Sequence, residues 1–358
     1  MARLKTLRLA ELAPVGIAVL SAALFGAATP LSKLLLDQFT PFQLAGLLYL
    51  GAALGVSLTA WRGGRLRLPA RTDPVNRYRL FGAVVAGGIA GPVLLLLGLR
   101  SAQAASVSLW LNFELAATAL LGVLVFREHI GRLGWAGVAT AFIGSAILAF
   151  EGGIAGVRAA CFVLAACLCW GLDNHLTALI DGITPSQSTF WKGLVAGATN
   201  LSIGIVLDPL VANGYTVGAA LLVGVFAYGA SIVLYISSAQ ALGATRAQIA
   251  FASAPFFGVL LSVLLLAEPI TATNIFSGML FIAAIVLFTL EQHSHGHTHQ
   301  LLEHEHSHRH DDGHHDHEHP GLPRSTRHSH RHRHDPMTHA HPHWPDLHHR
   351  HVHDVKPD

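Results

Sequence analysis

The sequence predicts an all-α polytopic membrane protein: ten transmembrane helices, arranged as two inverted five-helix repeats, followed by a disordered C-terminal tail. Three observations predict it. Of 358 residues, 52% are hydrophobic and 12% charged, with a mean hydropathy of +0.47, the balance of a membrane protein rather than a soluble enzyme. Apolar runs recur at about 20 residues, the length that crosses a bilayer as a helix. Twenty-three of the 25 histidines, all but His129 and His175, fall after Gln292 on a polar tail. The segments expected are an N-terminus (1–11), a first repeat (12–151), a second repeat (152–290) and the tail (291–358).

The first span, 14–36, follows Arg3, Lys5 and Arg8. Its start resembles a signal peptide, but the apolar run outlasts a typical one, so it is read as a retained helix. The second, 41–61, opens on Thr40-Pro41-Phe42-Gln43 and precedes a loop with Arg62, Arg65, Arg67, Arg71, Arg77 and Arg79. The third (79–98) carries Pro92, and the fourth (101–126) carries Asn112 and Glu114. The fifth is 132–150. The sixth, 157–180, holds Cys161, Cys167 and Cys169, then Asp173, Asn174 and His175. Lys192 stands in the seventh, 186–207. The eighth is 216–238; the ninth, 244–267, contains Pro255; the tenth is 271–290. Lysine and arginine crowd the loops that share a side with the N-terminus, so the positive-inside rule places both termini, and the tail, in the cytoplasm.

The halves match each other. Residues 24–43 (LFGAATPLSKLLLDQFTPFQ) pair with 168–187 (LCWGLDNHLTALIDGITPSQ), and 115–128 pair with 255–268, both ending in glutamate. Five spans per unit is odd, so the second copy inverts, which is a transporter signature with the substrate site near the midplane. Gly51-x-x-x-Gly55 and Gly193-x-x-x-Gly197 predict close helix approach.

Ionisable residues inside spans cost about 2.5–3.5 kcal/mol and usually face the interior or a cavity. The candidate cavity residues are therefore Asn112, Glu114, Asp173, Asn174, His175 and Lys192. Asn112 and Glu114 sit about 200° apart on a helix, and Glu114 is the better cation or proton carrier; it could also pair with Lys192 or cap a broken helix. Asp173 reads either as a cation ligand or as a fixed point for span six through Asn174 and Thr177. His175 reads more simply as a hydrogen-bonded structural residue than as a ligand. Glu128 and Glu268 end their spans and suit helix-end anchoring, while Lys33 and Asp37 can reach the interface. Cys167 and Cys169 are also about 200° apart and read as helix filler. The residues arrange no positioned nucleophile and base, so an enzyme is not expected.

The tail has −4 net charge against +6 for the body, counting seven Lys/Arg against eleven Asp/Glu after residue 290. Such a chain lacks the apolar residues for a core and is expected to be disordered without metal. In extended chain, His-x-His places both residues on one side, a spacing that suits nickel, cobalt or zinc. The expected ligands are His293, His295, His297, His299, His304, His306, His308, His310, His314, His315, His317 and His319.

The two halves, each closing with a glutamate before its last span, resemble the drug/metabolite transporter superfamily, EamA type, over residues 12–290. LNFE (111–114), FREH (126–129), CWGLDNHLT (169–177), KGLVAG (192–197) and the tail resemble a bacterial subgroup that includes cobalt and nickel resistance proteins. That subgroup has Asp-Asn-Asn-Leu-Thr and a basic residue where this chain has Asp173-Asn174-His175-Leu176-Thr177 and Ala178. The resemblance implies secondary transport, usually outward, between the repeats. The expectation is an inner-membrane exporter of divalent metal, nickel or cobalt above others, with a metal-binding cytoplasmic tail and no obligatory cofactor. Two alternatives are an exporter of a small organic solute with a metal-responsive tail, and a membrane-anchored metal buffer or sensor that transports nothing. The partners expected are the lipid bilayer and the substrate, with a homodimer left open; nucleic acid is excluded.

Overall fold

A computed structural model of the chain describes residues 9–61, 65–126, 130–180, 182–242 and 250–290, and the tail segments 293–299, 302–308, 328–334 and 337–343. The body is all helical. Among the described residues nine helical stretches are long and apolar enough to cross a membrane: Val15–Leu35, Pro41–Ala60, Pro74–Ser101, Ala104–Leu124, Arg132–Glu151, Gly153–Thr177, Pro185–Leu207, Gly214–Ile236 and Ala272–Leu290. The expected ninth span corresponds to a shorter apolar helix, Ala254–Leu266; residues 243–249, where that span was to begin, lie outside the described residues, as does Glu128.

Spans two and seven form the centre, and their ends show why. Each begins with the same device. Thr40 accepts from the Gln43 N–H, the Gln43 side chain accepts from the Thr40 N–H, and Pro41 occupies the first turn; Thr184, Gln187 and Pro185 repeat the arrangement. This capping box satisfies orphan donors at a helix start. The same glutamines then reach across. Gln43 Nε2 donates to the Gly204 and Asp208 carbonyls at the end of span seven. Gln187 Nε2 donates to Ala60 and Arg65 at the end of span two. The two helices therefore run antiparallel and clasp each other at both ends. Close approach needs glycine: a Cβ on Gly193 would lie 2.8 Å from the Tyr49 carbonyl oxygen, and one on Gly197 2.7 Å from the Leu50 nitrogen.

The third and eighth spans share an irregularity that the hydropathy pattern does not reveal. In each, a ten-residue α-helix (Pro74–Ala83, Gly214–Val223) passes into a seven-residue π-helical segment (Val84–Ala90, Gly224–Ala230) before α-helix resumes. Widening the helix frees backbone carbonyls that lipid cannot satisfy. Around the first segment, side chains from three spans answer: Tyr49 Oη and Trp170 Nε1 donate to the Gly87 carbonyl at 2.5 and 3.1 Å. Asn200 Nδ2 donates to Gly88 and Ile89.

Among the described residues of the tail, the backbone forms four short strands: β1 (His293–His299), β2 (Leu302–His308), β3 (His328–His334) and β4 (Met337–His343). β1 pairs antiparallel with β4, and β2 with β3. Here Glu303 stands opposite Arg333, and Glu305 opposite Arg331.

Candidate transport site

Span six, continuous over Gly153–Ala178, carries two of the predicted cavity residues side by side and sends them to different partners. Asp173 is buried and ion-paired with buried Lys192 at 2.6 Å. Thr177, one turn on, donates to the other Asp173 oxygen at 2.9 Å. The capping box fixes where span seven starts and hence the height at which Lys192 enters. Gly87 completes the site, because a Cβ there would occupy the space of the Asp173 carboxylate. The glycine of the π segment is thus the floor of the ion pair.

Asn174 turns to span four, where its Nδ2 donates to Glu114 Oε1 at 2.9 Å and lies 3.5 Å from Thr118 Oγ1. Span four is interrupted just before this point. One helix ends at Trp110, Leu111 and Asn112 form a turn, and a second helix begins at Phe113. Asn112 Nδ2 donates to the Leu109 carbonyl, so it seals the break. Glu114 sits in the first turn of the new helix, where the helix dipole favours a negative charge. Asn174 is exposed and Glu114 half-buried. Lipid solvates neither an amide nor a carboxylate, and the bond between Asn174 and Glu114 satisfies one against the other.

The six predicted cavity residues therefore separate into groups. Asp173 meets Lys192, and Glu114 meets Asn174; the considered pairing of Glu114 with Lys192 gives way to Asp173 as the lysine's partner. His175 is buried, its Nδ1 2.8 Å from the Gly171 carbonyl and its ring stacked on Phe126 at 4.4 Å. Those contacts describe a packed helix residue. Among the described residues no group of three or more His, Cys, Asp or Glu is placed to hold a metal.

Sequence reasoning missed the aromatic residues beside these groups. Phe25 packs edge-on against Trp170 and Tyr228, and lies 5.4 Å from Phe251; Tyr49 is 5.5 Å from Tyr228, and Tyr235 is 4.8 Å from Phe251. These residues come from both halves of the chain. Their signal was present as tyrosines in otherwise aliphatic runs, but period alone does not show that they converge.

Away from this centre, two charged residues bracket one turn. Lys33 Nζ donates to the Leu99 and Ala102 carbonyls at 2.6 and 2.8 Å, closing the end of span three. Glu268 accepts from the Ala104 and Ala105 N–H groups, both at 2.8 Å, capping the start of span four. Glu268 is the expected helix-end anchor, whereas Lys33, expected to reach the interface, is tied to this turn instead.

The family profile described as "EamA-like transporter family" matches residues 13–150 and again 157–290. The chain belongs to the EamA-like transporter family. It is a multi-pass membrane transporter of that type, embedded in the bilayer, and the two successive matches agree with the repeat visible in the paired capping boxes and π segments. An uncharacterized transporter from Methanothermobacter thermautotrophicus is 26% identical over 298 residues, covering 76% of this chain and 84% of the relative. A solved crystal structure shares the fold with a TM-score of 0.57 at 16% identity, covering 78% of this chain and 97% of that one.

Proposed function

We propose that this family member exports a divalent metal cation, nickel or cobalt foremost, across the inner membrane, with both termini and the histidine tail in the cytoplasm. The single observation that carries this reading is the unequal treatment of two neighbouring carboxylates. Asp173 already has its cation in Lys192, while Glu114 is met by a neutral amide at an accessible helix break. A carboxylate inside a membrane helix without a basic partner is suited to receive a mobile cation, and broken helices supply such sites in inverted-repeat transporters. The antiparallel clasp of spans two and seven supports an inverted second repeat. The cation at Glu114 is substrate, passed onward with water or substrate-borne ligands completing its coordination, because resident metal cages need more donors than this. Nickel and cobalt accumulation in cells expressing the protein tests the proposal. Expression should lower accumulation of at least one of them, and unchanged levels of both, with the protein verified in the membrane, would refute it.

A second reading, export of a small organic cation, is favoured by the aromatic grouping of Phe25, Tyr49, Trp170, Tyr228, Tyr235 and Phe251. Aromatic faces attract organic ammonium groups, and Glu114 would supply the counter-charge. Replacing Tyr228 with Leu separates the two. It should impair an organic-cation exporter severely and leave metal export close to normal.

A further inference from the structure

The stretch that joins spans two and three gathers positive charge. Residues 62–79 hold six arginines against one acid, Asp73. That aspartate is committed to the next helix start, where it accepts from the Asn76 N–H and the Asn76 side chain. Arg79 is committed too, since it donates to Asn76 Oδ1 at 2.9 Å and to the Leu179 carbonyl, at the end of span six, at 2.6 Å. Arg65, Arg67, Arg71 and Arg77 are exposed. Among the described residues no carboxylate is paired with any of these four; the ion pair there is Asp173 with Lys192.

The backbone beneath these arginines is held in place. Gln187 Nε2 donates to the Arg65 carbonyl at 3.2 Å, and Trp191 Nε1 donates to the Arg67 carbonyl at 2.9 Å. Both donors belong to the first two turns of span seven. Charges that only orient a chain in the bilayer need to lie near the membrane and need no fixed backbone. Their neighbours show what the arginines face. On the Pro74–Ala83 helix, Arg77, Tyr78 and Phe81 are all exposed and fall within about 100° of one another around the axis. Phe81 lies about 6 Å further along the span than Arg77. Trp61, at the end of span two, and Leu68, between Arg67 and Arg71, are exposed as well. A face that passes from guanidinium to ring on entering a span matches the passage from headgroup to acyl layer, where Tyr and Trp collect. An acidic peptide segment such as the tail neutralises arginine but leaves the rings uncovered. A phospholipid covers both.

We propose that this loop is a binding site for an anionic phospholipid, whose phosphate is taken by the guanidinium groups of Arg67, Arg71 and Arg77 and whose acyl chains lie along Tyr78 and Phe81. Guanidinium binds phosphate through two parallel charge-assisted hydrogen bonds, which gives the headgroup a defined seat as well as a charge. The site is independent of which substrate crosses the membrane. It bears on the transport site all the same, because Trp191, which holds the Arg67 carbonyl, immediately precedes Lys192 in span seven. A lipid bound to the loop braces the start of the helix that supplies the lysine of the buried ion pair.

The full-length protein in an uncharged detergent tests this, with phosphatidylglycerol, phosphatidylcholine and inorganic phosphate as separate probes. Lipid retention is read by native mass spectrometry and stabilisation by melting temperature. Phosphatidylglycerol should be retained several-fold more than phosphatidylcholine and raise the melting temperature further, and the difference should shrink at high salt. Arg67→Gln, Arg71→Gln and Arg77→Gln together should abolish that preference. Lysine at the same three positions should keep part of it, since the charge remains without the fork. Arg100→Gln with Arg158→Gln changes exposed arginines at the opposite ends of spans three and six and should leave the preference intact. Equal retention of the two lipids by the unaltered protein, or an undiminished preference in the triple Gln variant, would overturn the proposal. Inorganic phosphate matching the stabilisation by phosphatidylglycerol would make this a site for soluble anions. A preference that emerged only after deletion of residues 293–358 would give the arginines to the acidic tail. Either of these results would overturn it as well.

Discussion

Lys192 is the residue whose replacement separates structure from transport most clearly. Removing one member of a buried ion pair leaves the other charge uncompensated, at a cost of about 3–5 kcal/mol, whereas removing both often costs little. Lys192→Met should therefore lower the thermal stability of the purified protein sharply, and Asp173→Leu with Lys192→Met should restore most of it. If the double variant were no more stable than the single one, the pair would not be the buried unit its 2.6 Å contact indicates. Glu114→Gln is the contrasting change. Its amide keeps the shape and the bond from Asn174, so folding should be near normal while export falls at least tenfold. Asp73, outside the spans, adds a pH effect. Bonds from the Asn76 N–H and the Asn76 side chain hold its carboxyl below the usual range. The stabilisation of this helix start is complete above the unfolded value of about 3.9 and fades as pH falls through the lower, folded value. Amide exchange at the first turn of span three should thus quicken only in that acid window.

At the scale of the element, backbone irregularities decide where side chains meet. The π segment at Val84–Ala90 brings Gly87 against Asp173 and offers its carbonyl to Tyr49 and Trp170. Gly87→Ala should displace the carboxylate and cost about 1–3 kcal/mol, the range for overpacking a tight interior, read as a fall in melting temperature together with lost export. The opposite sign is expected at Ala267. It ends the Ala254–Leu266 helix at φ 51°, a left-handed conformation that costs an L-residue roughly 1–2 kcal/mol. Ala267→Gly should raise the melting temperature while leaving Glu268 able to cap Ala104 and Ala105. A fall would show that the alanine methyl packs more favourably than its strained backbone costs.

The same elements show what the chain makes legible. Span positions follow from apolar length, and the Thr-Pro-x-Gln repeats marked both helix starts that turn out to be capping boxes. Glu114, Asp173 and Lys192 stood out because charge inside a span is costly. Their pairing did not, since helical periodicity fixes an angle on one helix and says nothing of which neighbour faces it. The π segments were hidden because hydropathy is blind to whether a carbonyl bonds four or five residues on; only the glycine-rich VVAGGIAGP hinted at them.

For the whole molecule, the body and the tail must divide the work. A substrate crosses only where backbone polar groups are satisfied within the bilayer, so the path belongs to the helices and not to the tail's ladders. What the tail can change is supply. On the proposed function, with the tail on the cytoplasmic side and binding metal, its histidines would raise the local metal concentration beside the inner mouth, by the logic of effective concentration. Such tethering governs occupancy of the entry site without altering the rate at which an occupied transporter turns over. Deleting residues 293–358 should then raise the nickel concentration for half-maximal export several-fold and keep the maximal rate largely intact, measured in everted membrane vesicles with the tail side facing the bath. The same deletion combined with Glu114→Gln should be no worse than Glu114→Gln alone, because supply is irrelevant once the path is closed. Complete loss of export by the tail-less protein, stably inserted, would contradict this division and make the tail part of the translocation machinery.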